Sequence, residues 1–471
     1  MAMTWVVNTR AAKHLVRSDG QEDLCFALWY PSQGRERKTA LLYDLILPKR
    51  CERKIHGNAS FAGRYFERAL GLAVRQNAGL ALLHSHPAPS WQGMSDDDIA
   101  AELGHAASTK GATEHPLVGL TIGNDSSWSA RFWEKVSPQK YERRWCHSVR
   151  VVGENLHTTY CEQLMPEPTL RSELTRTVSA WGSTEQAHLT RLRVGVVGAG
   201  SVGSLVAEAL ARMGIAHVVL IDYDVVEVEN LGCLLHARLS DALQARPKIL
   251  VLSDAITQSA TASPFKVEPF QWSVVETEGY RAALDCDVLF SCVDRPWARF
   301  ALNFIAYAHL IPVVDGGISV QQQRNQRGLR RANWRAHVAT PGRKCLECLR
   351  QYDPGLVAVE RDGYLDVPSY INSLPGDHTL KRRENVFAFS LAAASAELQQ
   401  FLRMVVAAPG LSNPGAWLED FVTGARDIDP KPCKKACLFP SLTATGDHSK
   451  ICVTGRHSIA EEMRQLRKLS Q

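Results

Sequence analysis

The chain has 471 residues, 45% hydrophobic and 22% charged, the make-up of a soluble globular protein too long for one ordinary core. Its net charge of +5, from 54 basic and 49 acidic residues, is too small an excess to imply nucleic acid or a membrane surface as a partner. No segment reads as a secretory signal or reaches the about 18 apolar residues of a membrane helix, and twelve scattered cysteines do not make a secreted disulfide framework, so a cytoplasmic protein is expected.

Taken in order, residues 25–30 and 40–47 read as strands and 60–76 as an amphipathic helix carrying Phe61, Tyr65, Leu70, Leu72 and Val74 near one side. Residues 79–83 read as a short buried strand that delivers His84 and His86 at its end. A helix over 95–107 opens with Ser-Asp-Asp-Asp, which suits capping and the helix dipole. Strands are expected at 117–122 and 127–133. The polar stretch 150–190, with Pro166 and Pro168, reads as a linker and then a helical lead-in around 171–181. A strand–helix–strand unit follows at 194–197, 204–213 and 217–221. Further strands at 286–292 and 312–315 imply a doubly wound parallel sheet. Residues 387–404 read as a buried helix and 459–469 as a charged one. The expected organisation is an α/β domain over 1–145, a linker and lead-in over 146–189, a Rossmann-like domain over 190–428, and a C-terminal segment over 429–471.

Two places carry chemistry. In the first, His84 and His86 share one side of an extended strand, because side chains alternate with period two, and Asp98 on the first turn of the next helix can fold back to them. Two imidazoles and a carboxylate suit zinc and leave a fourth position for water, the mark of a catalytic site. Such a site needs a carboxylate to move the proton of water to a leaving amine; Glu22 is the candidate. Ser95 is the candidate donor to an oxyanion. Glu22, His84-x-His86-Pro87 and Ser95-x-x-Asp98 resemble the motif of the JAMM/MPN metalloprotease family, of the prokaryotic JAB type, over about residues 1–140. The resemblance implies hydrolysis at the C-terminus of ubiquitin-like proteins. Eight residues separate His86 from Ser95, where seven are usual. Keeping Ser95 with Asp98 preserves the Ser-x-x-Asp pair.

The second place is Gly198-x-Gly200-x-x-Gly203, between a strand and a helix, where bare backbone can approach a phosphate. Asp222 ends the next strand, where a carboxylate can hold ribose hydroxyls. These residues alone fit a nicotinamide dehydrogenase equally well. The continuation Asp222-Tyr-Asp224-Val-Val-Glu-Val-Glu-Asn230-Leu231 resembles the ThiF/MoeB/ubiquitin-activating (E1-like) superfamily, over roughly 171–440. The resemblance implies ATP, Lys248 as the phosphate-binding lysine, Asp294 in Ser-Cys-Val-Asp as the magnesium ligand, and a homodimer in which Arg176 reaches the partner subunit's nucleotide. It also implies a ubiquitin-like or sulfur-carrier protein as partner, with a conjugating-type enzyme downstream. Asn230 would meet a phosphate or ribose oxygen. Two features depart from the pattern. Cys233 stands where an arginine is expected, with Arg238 as a substitute, and residues 349–381 contain no cysteine, which favours an acyl-adenylate as the end product.

Cys345-x-x-Cys348 and Cys433-x-x-x-Cys437 have the spacing of a closed four-thiolate zinc site, with Cys452 as an alternative to Cys437. Cys25, Cys51, Cys146, Cys161, Cys286 and Cys292 are expected to be packing residues. The combined expectation is a bifunctional zinc protease and ATP-dependent adenylating enzyme in a bacterial ubiquitin-like pathway, such as one of phage defence. Sulfur-carrier processing, or a scaffold with an inactive adenylation half, are the alternatives.

Overall fold

One strand decides the layering of the first half of the chain. Leu24, Phe26 and Leu28 pack on one face with Tyr65, Phe66, Ala69 and Ala73, while Cys25, Ala27 and Trp29 pack on the other with Val7, Ala11 and Leu15. A strand apolar on both faces must be covered twice, and a helix lies over each. The computed structural model describes residues 1–56, 58–323, 328–375, 378–381, 384–406 and 414–469. It divides into a first unit of Met1–Ser32, Lys38–Glu167 and Thr443–Ser449, and a second of Gln33–Arg37, Pro168–Leu442 and Lys450–Gln471.

The first unit runs β1 (Ala2–Thr4), α1 (Trp5–Leu15), β2 (Leu24–Gln33), β3 (Lys38–Ile46), β4 (Arg53–His56), β5 (Asn58–Phe61), α2 (Gly63–Arg75), β6 (Gly79–Ser85), α3 (Asp96–Thr113), β7 (Leu117–Ile122), β8 (Trp128–Ser137), β9 (Lys140–Trp145), β10 (Ser148–Val152) and β11 (Leu156–Tyr160). Its described strands form a nine-stranded sheet in the order β11-β10-β1-β3-β2-β6-β7-β8-β9, beside a separate β4–β5 pair. β6 is central, antiparallel to β2 and parallel to β7.

Three expectations change here. The stretch taken as a linker contains β10 and β11, and β10 pairs with β1; Arg150, 2% exposed in the middle of β10, disguised an otherwise apolar strand. Ser60 and Phe61 belong to β5, so the helix begins at Gly63. Residues 1–20, given no element above, supply β1 and α1, the latter capped by Thr4 Oγ1 accepting from Val7 N at 3.2 Å.

The second unit begins with α4 (Thr175–Trp181) and α5 (Ser183–Arg191). It continues β12 (Arg193–Val197), α6 (Ser201–Arg212), β13 (His217–Ile221), α7 (Leu239–Leu243), α8 (Lys248–Ser259), β14 (Lys266–Phe270), α9 (Thr277–Leu284), β15 (Val288–Ser291), α10 (Pro296–Ala308), β16 (Val313–Gln322) and β17 (Leu329–Ala339). Then come α11 (Pro354–Arg361), α12 (Pro368–Ser373), α13 (Phe387–Val406), β18 (Ala416–Asp420), β19 (Arg426–Asp429) and α14 (Ser458–Leu469). The sheet order is β14-β13-β12-β15-β16-β17-β18-β19. The first five strands are parallel and the remainder antiparallel. β12, β13 and β15 are short, apolar and almost wholly buried, as parallel strands covered by helices must be. The chain moves outward from β12 in both directions, so the strand order reverses beside it, and the carboxyl edge there is the natural crevice for a ligand. No helix among the described residues is long and apolar enough to cross a membrane.

The loop after β12 is built on close approach. Gly198 has φ +93°, and a Cβ added to Gly203 on α6 would lie 1.8 Å from Gly198 O and 3.2 Å from Cys292 Cβ. Backbone cannot yield as a flexible side chain would. Gly203→Ala is expected to cost about 1–3 kcal/mol or more, the range of core overpacking, read as a lower midpoint in denaturant unfolding.

Candidate metal and nucleotide sites

β6 ends at Ser85, and His84 and His86 flank it. His84 Nε2 lies 3.2 Å from His86 Nε2 and 3.3 Å from Asp98 Oδ1, and His86 Nε2 lies 3.3 Å from Asp98 Oδ2. A tetrahedral ion with bonds of about 2.0–2.2 Å separates its ligands by about 3.3–3.6 Å, so the three residues fit zinc. Burial, with the charge of Arg131 adding to it, pushes His84 down to about 3, which favours the neutral ring. Burial alone would raise Asp98, but its hydrogen bond to His86 and the charge of His84 hold it well below the usual carboxylate range.

Helix α3 brings Asp98 to the histidines because of how it starts. Ser95 Oγ accepts from Asp98 N at 3.1 Å, and Ser95 N donates to Asp98 Oδ2 at 2.9 Å, a reciprocal capping box. Ser95 is therefore the N-cap, as the Ser-Asp-Asp-Asp start implies, and its own proton stays available to donate. Glu22 is half-buried beside the group: burial raises its carboxyl, with the charge of His86 opposing and that of Asp98 reinforcing. Sequence reasoning missed what holds it. The next residue, Asp23, is 1% exposed; its N donates to Ser85 Oγ at 3.0 Å, and Ser85 N donates to Asp23 O at 3.1 Å. Arg53 pairs with the Asp23 carboxylate. The strand that positions the histidines thus also positions Glu22.

In the second unit the loop Gly198–Gly200, Asp222 and Asp294 follow the adjacent strands β12, β13 and β15. Asp222 Oδ2 accepts from Ala199 N at 2.6 Å, and Oδ1 accepts from Asp224 N at 2.8 Å. Asp222 thus braces the loop, a structural duty beside any contact with ribose. Burial and the neighbouring Asp224 charge raise it to about 6. Lys248, first residue of α8, donates to Asp224 Oδ2 at 2.9 Å; burial works against its charge, but Asp224 and Asp222 outweigh that and hold it above the ordinary lysine value. Asn230 Oδ1 accepts from Glu227 N at 3.1 Å, which leaves its amide N–H groups for a ligand. Asp294 is exposed, and Arg176 is exposed on α4; within one chain Arg176 is not joined to the other residues. Asn385, unforeseen from the sequence, donates from Nδ2 to Ser201 Oγ at 2.9 Å, at the loop. Cys233 is half-buried, its thiol 3.5 Å from Asn230 O, and Arg238 is exposed.

Cys345, Cys348, Cys433 and Cys437 offer sulfurs that all lie within 4.8 Å of one another, with Cys345 Sγ 3.6 Å from Cys437 Sγ. Zinc–sulfur bonds of about 2.3 Å would place tetrahedral sulfurs about 3.8 Å apart. Cys345 N donates to Cys433 Sγ at 3.1 Å, and Cys348 N donates to Cys345 Sγ at 3.3 Å. Cys452 is exposed, its thiol 3.3 Å from Thr454 O, so it does not replace Cys437. Of the six cysteines expected to pack, Cys25, Cys146, Cys161 and Cys286 are buried and Cys292 is half-buried, but Cys51 is exposed.

Residues 173–370 match the model of the ThiF family. The match to the ThiF family lies within the second unit. Among curated relatives, ubiquitin-like modifier-activating enzyme 5 of Drosophila willistoni is 32% identical over 133 residues, covering 27% of this chain and 33% of that protein. The enzyme of the same name from Aedes aegypti is 34% identical over 144 residues, covering 29% and 36%. The chain thus spans about a third of the length of the curated relatives it matches. E. coli MccB with ATP shares 17% identity at a TM-score of 0.43, over 57% of this chain and 74% of that one.

Ser95→Ala removes the oxygen that caps α3 at the point where Asp98 is held. It is expected to destabilise the metal-free protein by about 0.5–2 kcal/mol, the usual cost of a lost N-cap, measured as a shift in the denaturant midpoint. Ser95→Asp, which keeps a capping acceptor, should recover most of it.

Proposed function

We propose that the chain is a bifunctional enzyme that cuts at the C-terminus of a ubiquitin-like protein and adenylates such a C-terminus with ATP. The observation that carries the first half is the His84–His86–Asp98 triangle, with ligand atoms 3.2–3.3 Å apart and the Glu22 carboxyl beside it. The match of residues 173–370 to the ThiF family supports the second half. Together they make a chemical pair, since one site would create the terminal carboxylate that the other consumes.

In the hydrolase, His84, His86 and Asp98 would hold zinc, which when bound polarises a carbonyl and acidifies water. Glu22, raised by burial, is suited to take a proton from the attacking water and return it to the leaving amine, as a carboxyl tuned toward neutral pH does. The Ser95 hydroxyl, whose oxygen is already engaged by Asp98 N, has its proton free for the oxyanion. In the adenylation half, a substrate carboxylate oxygen attacks the α-phosphorus of ATP and pyrophosphate leaves. That reaction needs positioning and charge neutralisation more than covalent help. The N-terminus of α6 and the Lys248 ammonium would meet the phosphates, with Lys248 exchanging its Asp224 partner for them. The exposed Asp294 carboxylate, a hard oxygen donor, fits magnesium. Arg176 would serve the nucleotide of a second copy in a homodimer. The four thiolates would hold a closed structural zinc.

The lack of a cysteine in residues 349–381 favours a product that leaves as the acyl-adenylate, whether toward a conjugating enzyme or toward sulfur transfer. A sulfur-modified partner in place of protein conjugates would select the second route. A scaffold role would require the adenylation half to be inert.

Two measurements check this reading. Glu22→Ala should lower release of a modifier from a C-terminal fusion by about 10²–10⁴-fold while leaving ATP–pyrophosphate exchange intact, and Asp294→Ala should do the reverse; loss of both activities in either variant would overturn the division of labour. Metal analysis of the purified chain should give two zinc ions, falling to one in His86→Ala and to one in Cys348→Ser.

A further inference from the structure

Three groups near His84 take no part in the chemistry above. Glu102, Arg131 and Thr121 are each 0% exposed. Arg131 Nε donates to Glu102 Oε2 at 3.0 Å, and a second guanidinium nitrogen bonds Oε1. Trp133 Nε1 donates to Glu102 Oε2 at 2.6 Å. The remaining guanidinium nitrogen of Arg131 donates to Thr121 Oγ1 at 2.6 Å, and Thr121 Oγ1 lies 3.2 Å from His84 Nε2. The ion pair thus ties α3 to β8, and Thr121 ties Arg131 to β7 beside His84, whose Nε2 lone pair a bound metal would take in place of any hydrogen bond to Thr121.

Register explains how they meet. Thr121 on β7 is directly beside His84 on β6 and Ser129 on β8, so the three share a face, and Arg131 joins that face two residues after Ser129. Gly119 lies opposite Arg131. A Cβ there would fall 2.3–2.5 Å from the Glu102 carboxylate and Arg131 Nε, so the ion pair occupies the place of a missing side chain. Glu102 follows Asp98 by one turn on the same side of α3. Asp98 on the helix and His84 on the sheet are thus the two ends of one bridge. Apolar contact between a helix and a sheet is non-directional, whereas a bidentate guanidinium–carboxylate pair is directional, and metal ligands must be placed to about 0.2 Å.

We propose that Glu102, Arg131 and Thr121 are positioning residues for the metal site, holding α3 against β7 and β8 so that Asp98 meets His84 and His86 at ligand spacing. The inference rests on reading those three residues as a zinc site. Cobalt(II), titrated into the metal-stripped full-length chain, tests it through its visible ligand-field bands, with His86→Ala as the reference that subtracts the thiolate site. Thr121→Val keeps the shape and leaves the ion pair; Glu102→Gln keeps the size and removes the charge. Both loosen the Arg131 anchor that holds α3 to the sheet and are expected to weaken the His86-dependent cobalt site by about 10–100-fold, the size of effect that supporting groups have on metal sites, and to alter the band shape, while Thr121→Ser, which keeps the acceptor for Arg131, retains both. Metal-free Thr121→Val leaves a buried guanidinium N–H without its acceptor and should unfold cooperatively at a lower temperature; cobalt is titrated well below it, and this variant decides the matter if Glu102→Gln does not fold. Wild-type cobalt affinity and band shape in Thr121→Val would overturn the inference and leave the network a stabilising one only. A wild-type chain with no His86-dependent band would overturn the zinc reading itself, and this inference with it.

Discussion

The position at which α3 begins controls the first site. Ser95 and Asp98 exchange two hydrogen bonds, and those bonds fix the helix start and the Asp98 carboxylate in one stroke. A start one residue later would rotate every following side chain by about 100°, carrying Asp98 away from the histidines and Glu102 away from Arg131. Capping is usually a matter of a kilocalorie or so; here it also sets the geometry of three candidate ligand atoms. Asp98 reaches that geometry at an electrostatic cost, since burial opposes its charge, and the neighbouring histidine side chains offset it.

The second unit solves a related problem with different means. Its candidate residues stand at the carboxyl edge of neighbouring parallel strands, where the loops are close together and the helix N-terminus faces outward. Backbone contact does the positioning: Asp222 takes N–H groups from Ala199 and Asp224, and Gly203 presses on Gly198 O. Lys248 is held ready by Asp224, a carboxylate that keeps the ammonium charged in a partly buried place. The first unit uses side chains on a strand end and a helix start; the second uses the chain itself. That difference follows from what each would bind, because a small cation needs three converging atoms and a polyphosphate needs a cradle.

Much of this is legible in the sequence. Ser-Asp-Asp-Asp announced a helix start, and a strand ending in His-x-His set the other half of the triangle. The strand–helix–strand unit over 194–221 and the strands after it marked the parallel sheet. What stayed hidden was hidden for stated reasons. Arg150 broke the apolar pattern of β10 although it is buried, so two strands passed for a linker. Thr121, Arg131 and Glu102 are far apart in the chain, and only strand register brings them together. Gly119 inside an apolar strand was the one available hint, since such a glycine often marks close approach by another group. Asp23 carries no signal of its own in the sequence, yet it is the residue that ties Glu22 to Ser85.

The first unit is not contiguous in sequence. It includes Thr443–Ser449, and the His448 ring stacks on Tyr30 with centroids 4.4 Å apart and an angle of 15° between planes. An N-terminal fragment stopped at Glu167 would leave Tyr30 uncovered on a face built to be shared. Domain-swapping or truncation work on this chain therefore has to carry the distant heptapeptide along.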